Sequence, residues 1–303
     1  MDDFLRERLK LADHMKTVLK QSNGTKYCKL SGSLQKIQRI GTKSVYGQVF
    51  LVSESAHPQH LAAAKIMYDT KDNARELEWY KKFERVVRKG QSPHFPLVYH
   101  QRICGKCPFD KDAPAKPGDA SKPRCIVAVS ELAAGDLKAW MAKGPRSPAA
   151  FASLVAQIVM ALYELELHGA LHNDLHWGNL LYLETNGLKG KWITYKIGQW
   201  LIEVRNEGFL WLLWDFGKMK STRIGGQVIQ HDLYRIMHFA EWAEKDGLKT
   251  PKLVREICRA FVQCAKKASS WDGLLADISA ELTPPMWKLI NRVVRMRQSK
   301  DGK

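Results

Sequence analysis

The hydrophobic period of this chain changes once along its length, and that change limits the folds open to it. Up to about residue 132 the apolar residues fall in short runs of strand length: LQKIQRIG (34–41), QVFLVSE (48–54), LAAAKIMY (61–68), LVYHQRI (97–103) and CIVAVSEL (125–132). Gly, Ser and Pro signals separate them, as turns require. One segment with helical spacing, NARELEWYKKFERVVRK (73–89), interrupts the series. From Ser147 onward helices take over. Residues 148–168 put Phe151, Leu154, Val155, Ile158, Val159 and Leu162 on one face, with Ser147 as N-cap and Pro148 in the first turn. Further helices are predicted over 231–245, 251–267 and 284–297. Strands followed by helices predict an α+β fold, a β-rich smaller lobe and a helical larger one.

A length of 303 residues suits one two-lobed domain or two ordinary ones. Leu5, Leu9, Ala12 and Leu19 recur at helical spacing, so residues 1–33 read as an N-terminal helical extension, followed by lobes at 34–132 and 133–303. With 45% hydrophobic and 26% charged residues the chain is globular in composition. No stretch approaches the roughly 18 uninterrupted apolar residues of a membrane span, and MDDFLRERLK has no apolar signal core. Neither insertion nor export by a signal peptide is expected. Cysteines at 28, 104, 107, 125, 258 and 264 lack disulfide-scaffold spacing, so a reducing compartment, cytoplasmic or nuclear, is the expectation. Cys104 and Cys107, with Cys125, look like part of a zinc knuckle that Cys28, His94 or His100 would complete; reduced surface thiols are the plainer expectation. The loop carrying them, 104–124, is rich in Pro, Gly and Lys and is expected to be exposed.

The chemistry concentrates in ALHNDLHWGNLLYL (170–183), a polar loop between apolar runs. By itself such a loop could be a structural turn, since Asn, Asp and Gly favour turns. Three further features occur in a fixed order around it. Lys65 ends the strand LAAAK, Glu76 stands on the next helix beside Leu77, Trp79, Tyr80 and Phe83, and Asp215-Phe216-Gly217 closes the apolar strand FLWLLW. Together these residues resemble the protein-kinase superfamily, from about residue 34 to at least 245. The resemblance implies that Asp174 takes the acceptor hydroxyl's proton, that Asn179 and Asp215 hold Mg²⁺, and that Lys65, braced by Glu76, neutralises ATP phosphates.

The resemblance also extends to a nucleotide pocket. IGTKSVYGQV (40–49) would cover the phosphates through Gly41 and Gly47, although the middle glycine of the usual motif is missing. Val49, Ala63 and Leu181 would sandwich adenine, Ser130 would guard the back of the pocket, Glu131 to Ala133 would offer backbone hydrogen bonds, and Asp136 would reach the ribose. His176 replaces the usual lysine two residues after Asp174. The string HNDLHWGN resembles the loop of haspin-type kinases and also that of aminoglycoside and choline phosphotransferases. An insertion at 184–208 favours the haspin side. Asp232, in QHDLYRIM, resembles the buried aspartate that hydrogen-bonds the catalytic loop. The short segment after Gly217 and the lack of A-P-E resemble divergent kinases of large DNA viruses. His168 and His231 are read as capping or packing, and His172 as bracing the loop.

The expectation is therefore a Ser/Thr protein kinase using MgATP in the cleft, intracellular in the host cell or virion if viral. A small-molecule phosphotransferase and a basic nucleotide-binding scaffold are the rivals. Protein substrates are the expected partners. A net charge of +17 adds a nucleic-acid or other polyanion tether through Arg6, Arg8, Lys10, Lys16, Lys20, the loop 106–124 and Arg292, Arg295, Arg297, Lys300 and Lys303.

Overall fold

The computed structural model describes residues 2–41, 47–110, 124–197, 200–222 and 226–298. The fold is α+β with antiparallel sheets, in two compact units: residues 2–88 with 96–133, and 89–95 with 134–303. Residues 2–33 belong to the first unit and do not stand apart from it.

The first unit runs α1 (Asp2–Gln21), α2 (Gly24–Cys28), β1 (Leu34–Ile40), β2 (Gly47–Glu54), β3 (Leu61–Tyr68), α3 (Lys71–Arg88), β4 (Val98–Cys104) and β5 (Cys125–Glu131). The strands form one five-stranded sheet in the order β1-β2-β3-β5-β4. Phe50, Val52, Ala62, Ala64, Ile66, Val127 and Val129 alternate along three strands onto one dry face. The buried stripe of α1 is Arg8, Ala12, Met15 and Leu19, at i, i+4, i+7 and i+11; Leu5 and Leu9, expected inside, are half-buried. Arg8 is inside because it forks onto Glu131, at 2.7 and 3.1 Å.

The cysteine readings need correction. Cys28 is disulfide-bonded to Cys104 and Cys107 to Cys125, so the sulfurs assigned to a zinc knuckle or to surface thiols are joined in pairs. Only Cys258 and Cys264 are free, and both are buried. The pairing removes the support that the cysteines lent to a reducing compartment. His94, a proposed zinc ligand, is fully buried with both ring nitrogens hydrogen-bonded, to the Trp211 carbonyl (2.7 Å) and the Tyr195 hydroxyl (2.6 Å).

The second unit holds β6 (Gly135–Asp136), α4 (Leu137–Ala142), α5 (Pro148–Leu167), β7 (Ala170–Leu171), β8 (Leu180–Glu184), β9 (Trp192–Ile197), β10 (Trp200–Arg205), β11 (Phe209–Leu213) and β12 (Lys220–Ser221). Then come a π-helical segment at Val228–Leu233, α6 (Tyr234–Ile236), α7 (Phe239–Lys245), α8 (Lys252–Ala265), α9 (Trp271–Glu281), α10 (Pro284–Ile290) and β13 (Val294–Gln298). Among the described residues α5 is the one helix long and apolar enough to cross a membrane, and it is mostly buried inside the fold. It is capped as its sequence predicts, the Ser147 hydroxyl accepting from Ala150 N at 3.1 Å. Being enclosed on nearly every side, it also buries polar residues. Gln157 bonds the Phe209 carbonyl and the Trp211 N–H, and Ser153 donates to the Arg205 carbonyl.

Two predicted helices are altered. The helix expected over 231–245 is broken, because the His238 ring takes the Tyr234 carbonyl at 2.8 Å, an acceptor that the helix ladder would otherwise use. The one expected over 284–297 stops at Ile290. Val294 to Gln298, in which side chains alternate with period two, instead pair antiparallel with β10, giving a three-stranded sheet β13-β10-β9 built on the 184–208 insertion. The residue pair 198–199 of that insertion lies outside the described residues.

Candidate active site

The polar loop within residues 170–183 lies in the second unit, and strand pairing sets its geometry. β8 and β11 are antiparallel with Leu180 opposite Leu213, and Trp214 N donates to the Asn179 carbonyl at 2.9 Å. The two strand ends are therefore side by side, and Asp215 is one residue beyond the last rung from Asn179. A single 3₁₀ turn, Trp177–Asn179, leads from the loop into β8.

Backbone hydrogen bonds hold the loop from behind. Asp232 has no solvent exposure, and its carboxylate accepts from His172 N (2.6 Å) and Asn173 N (3.0 Å). His172 is equally buried, its Nε2 bonded to the Trp214 carbonyl at 2.9 Å and its ring edge-on to Phe216. Asn179 Nδ2 donates to the Asp174 carbonyl at 3.0 Å, which fixes the amide and turns its oxygen the other way. Among the described residues three non-glycines have positive φ, and two of them, Asn173 and Asp215 (both 63°), are in this site. Asn and Asp tolerate the left-handed region best, yet such backbone gathers where geometry is over-determined by its surroundings.

The Asp174 carboxylate faces two cations, Lys218 Nζ at 3.1 Å and an Arg235 guanidinium nitrogen at 3.7 Å. Neither was picked out from sequence. The available signal was the lysine directly after Asp215-Phe216-Gly217, but the contact depends on the left-handed turn at Asn173, whose side chain bonds the Lys218 carbonyl. His176 is an N-cap, its Nδ1 accepting from Gly178 N at 3.0 Å. Burial pushes the His176 imidazolium pKa below its ordinary value; Asp174 opposes the shift and Arg235 reinforces it. Neutral imidazole is the form that can accept this hydrogen bond.

Comparison with family models and with curated proteins finds no match. The reading of the site rests on its residues alone.

The first unit carries the remaining expected residues. Lys65 and Glu76 form a buried ion pair at 2.6 Å, whereas Glu78 is exposed and pairs with Lys81. The strand register puts Val49, Ala63, Lys65 and Ser130 on one face of the sheet, opposite the dry face. Ala63 and Ser130 are buried and Val49 is half-buried. In the second unit Leu181 is half-buried as well.

Several expected ligand contacts already have structural duties. Glu131 N donates to the Leu97 carbonyl (3.0 Å), its carboxylate serves Arg8 and Leu97 N, and its carbonyl accepts from the Ser130 hydroxyl at 3.4 Å. Asp136 caps α4 through Ala139 N at 2.7 Å. Gly47 is required by its own sheet, since a Cβ would lie 2.4 Å from the Ile66 carbonyl oxygen. Gly41 has φ of 76°. Residues 42–46, between these glycines, lie outside the described residues, as do 111–123 and 223–225. Ala133 is the last residue of the first unit, followed by Ala134 N bonding the Tyr182 carbonyl.

Asn179 and Asp215 offer an amide oxygen and a carboxylate at adjacent strand ends. This hard-oxygen donor set fits Mg²⁺, which completes its shell with water and phosphate.

Proposed function

We propose that the protein is an ATP-dependent phosphotransferase acting on Ser or Thr hydroxyls of protein substrates, a divergent kinase of the haspin-like or large-DNA-virus type. One observation carries the reading: the β8–β11 junction sets Asp215 beside the end of the loop that holds Asp174 and Asn179, and buried Asp232 anchors that loop. A structural turn has no need of Asp174, Asn179 and Asp215 on neighbouring stretches of one anchored backbone. The buried Lys65–Glu76 pair supplies the cation that the reading assigns to the nucleotide phosphates.

Asp174 orients the acceptor hydroxyl and receives its proton as the oxygen bonds to the γ-phosphorus. The bond from that phosphorus to the β,γ-bridging oxygen breaks, and ADP leaves. Mg²⁺, held by Asn179 and Asp215, would offset charge on the phosphate oxygens. Lys218 and Arg235 flank Asp174, where they can meet the incoming phosphoryl charge. Catalysis is then mostly positioning and charge neutralisation.

The test is transfer from labelled MgATP to a panel of proteins, peptides and small alcohols. Phosphoserine or phosphothreonine is expected, with Asp174→Asn cutting turnover at least about a hundredfold while nucleotide binding persists. Asp215→Ala should instead weaken Mg²⁺-dependent ATP binding. Label found only on sugars or amino alcohols would move the assignment to a small-molecule phosphotransferase. Nucleotide binding without transfer to any acceptor would leave a scaffold.

A further inference from the structure

A second cluster of chemical groups lies wholly within the first unit and has no part in phosphoryl transfer. His14 projects from α1, Glu54 ends β2, and His57 and His60 stand in the turn between β2 and β3. His14 Nε2 is 2.9 Å and His60 Nδ1 2.8 Å from the same carboxylate oxygen, Glu54 Oε2. The His57 ring centroid is 5.7 Å from that of His14 and 5.2 Å from that of His60. Ligand atoms of His14, Glu54 and His57 all lie within 4.8 Å of one another. The turn is itself pinned, by Glu54 N to the His60 carbonyl (3.0 Å) and His60 N to the His57 carbonyl (2.8 Å).

The plain account is that buried Glu54, 3% exposed at its side chain, needs hydrogen-bond donors. Two imidazoles meet that need. It does not account for the third, His57, which is exposed yet held against the other two rings. Three imidazoles drawn together in a chain of net charge +17 repel one another whenever they are protonated. A cation shared among neutral rings turns the same crowding into attraction.

We propose that His14, Glu54, His57 and His60 form a structural site for a borderline divalent metal ion, Zn²⁺ by its donor set. Three imidazoles and a carboxylate give the four ligands of a closed tetrahedral site, and imidazole nitrogen selects against Mg²⁺. Bond lengths of about 2.0–2.1 Å put tetrahedral ligands about 3.3 Å apart, so the His14, Glu54 and His57 atoms, now within 4.8 Å, must close by up to about 1.5 Å, and His60, 2.8 Å from Glu54, must swing in beside them. Side-chain rotation supplies this, because His57 is exposed and His14 and His60 keep 40% and 29% of their side-chain surface. The ion fastens α1 to the β2–β3 turn, six residues along the helix from Arg8 and its bond to Glu131.

Co²⁺, which reports coordination geometry through its visible spectrum, is titrated into the purified full chain. A tetrahedral band saturating at one ion per chain is expected, abolished by Zn²⁺ and untouched by Mg²⁺. His57→Asn alters an exposed side chain and should weaken binding at least about tenfold with an unchanged circular dichroism spectrum; His14→Asn should do the same. A spectrum typical of hydrated Co²⁺, a thiolate charge-transfer band placing the ion at cysteine, or equal affinity in both variants and the wild type would each overturn the site.

Discussion

Asp232 shows how much depends on single buried groups here. Its carboxylate is the partner of two main-chain N–H groups, and each donor left buried and unpaired costs about 1–3 kcal/mol. Asp232→Ala should therefore lower stability by several kcal/mol in denaturant titration and, on the proposed function, reduce kcat more than nucleotide affinity. His100 supplies a pH effect. Burial foremost, then Arg102, Lys20 and Lys16, lower its pKa from the ordinary 6.5. The folded chain keeps this ring neutral while the unfolded chain protonates it. Its contribution is thus whole above pH 6.5 and declines as pH falls from 6.5 toward the lowered folded value. His100→Gln should flatten that part of the stability profile; an unchanged slope would refute the assignment. Residue-level legibility was uneven for a physical reason. Placing Glu76 beside the inward face of its helix needed only helix periodicity. Arg8 in the interior, Lys218 beside Asp174 and the third histidine beside Glu54 depend on contacts between distant segments, which no local pattern encodes.

At the scale of elements, the cysteine pairs yield the sharpest test. With four of six cysteines joined, denatured unreduced protein should release two thiols to Ellman's reagent, from Cys258 and Cys264; six would refute the pairing. Reduction should destabilise the first unit by about 2–4 kcal/mol per bridge. The strands of the first sheet were visible from sequence because each is a short apolar run ending in turn residues. α9 was not: Gly273 and scattered polar residues dilute its pattern, although Trp271, Leu274 and Ile278 are buried at helical spacing and the Ser270 hydroxyl caps Gly273 N. β13 was misjudged because its strand state comes from the partner it finds in β10, whose open edge it covers.

For the whole molecule, net charge decides which partners come near. A value of +17 exceeds the roughly 2–8 units that solubility asks of a small domain. Much of the charge counted on α1 is locally cancelled, however: Arg6 pairs with Asp3, Lys10 with Glu7, Lys16 with Glu84 and Arg8 with Glu131. At β13, Arg297 pairs with Glu203 and Arg295 covers the Trp192 ring. A polyanion tether should therefore be modest. Anisotropy with duplex DNA should show binding at low salt that weakens steeply toward physiological salt, with no sequence preference. Binding indifferent to salt would exclude it.

The division of the chain also has a consequence for descent. Residues 89–95 belong to the second unit although both neighbouring stretches of chain belong to the first. Within that segment His94 is tied to Tyr195 and Trp211, and Phe95 packs near Phe216. A single genetic crossover near residue 133 would part this segment from the residues it packs against, so such a chimera should be less stable than either parent unless His94 and Phe95 meet the same partners in the new half.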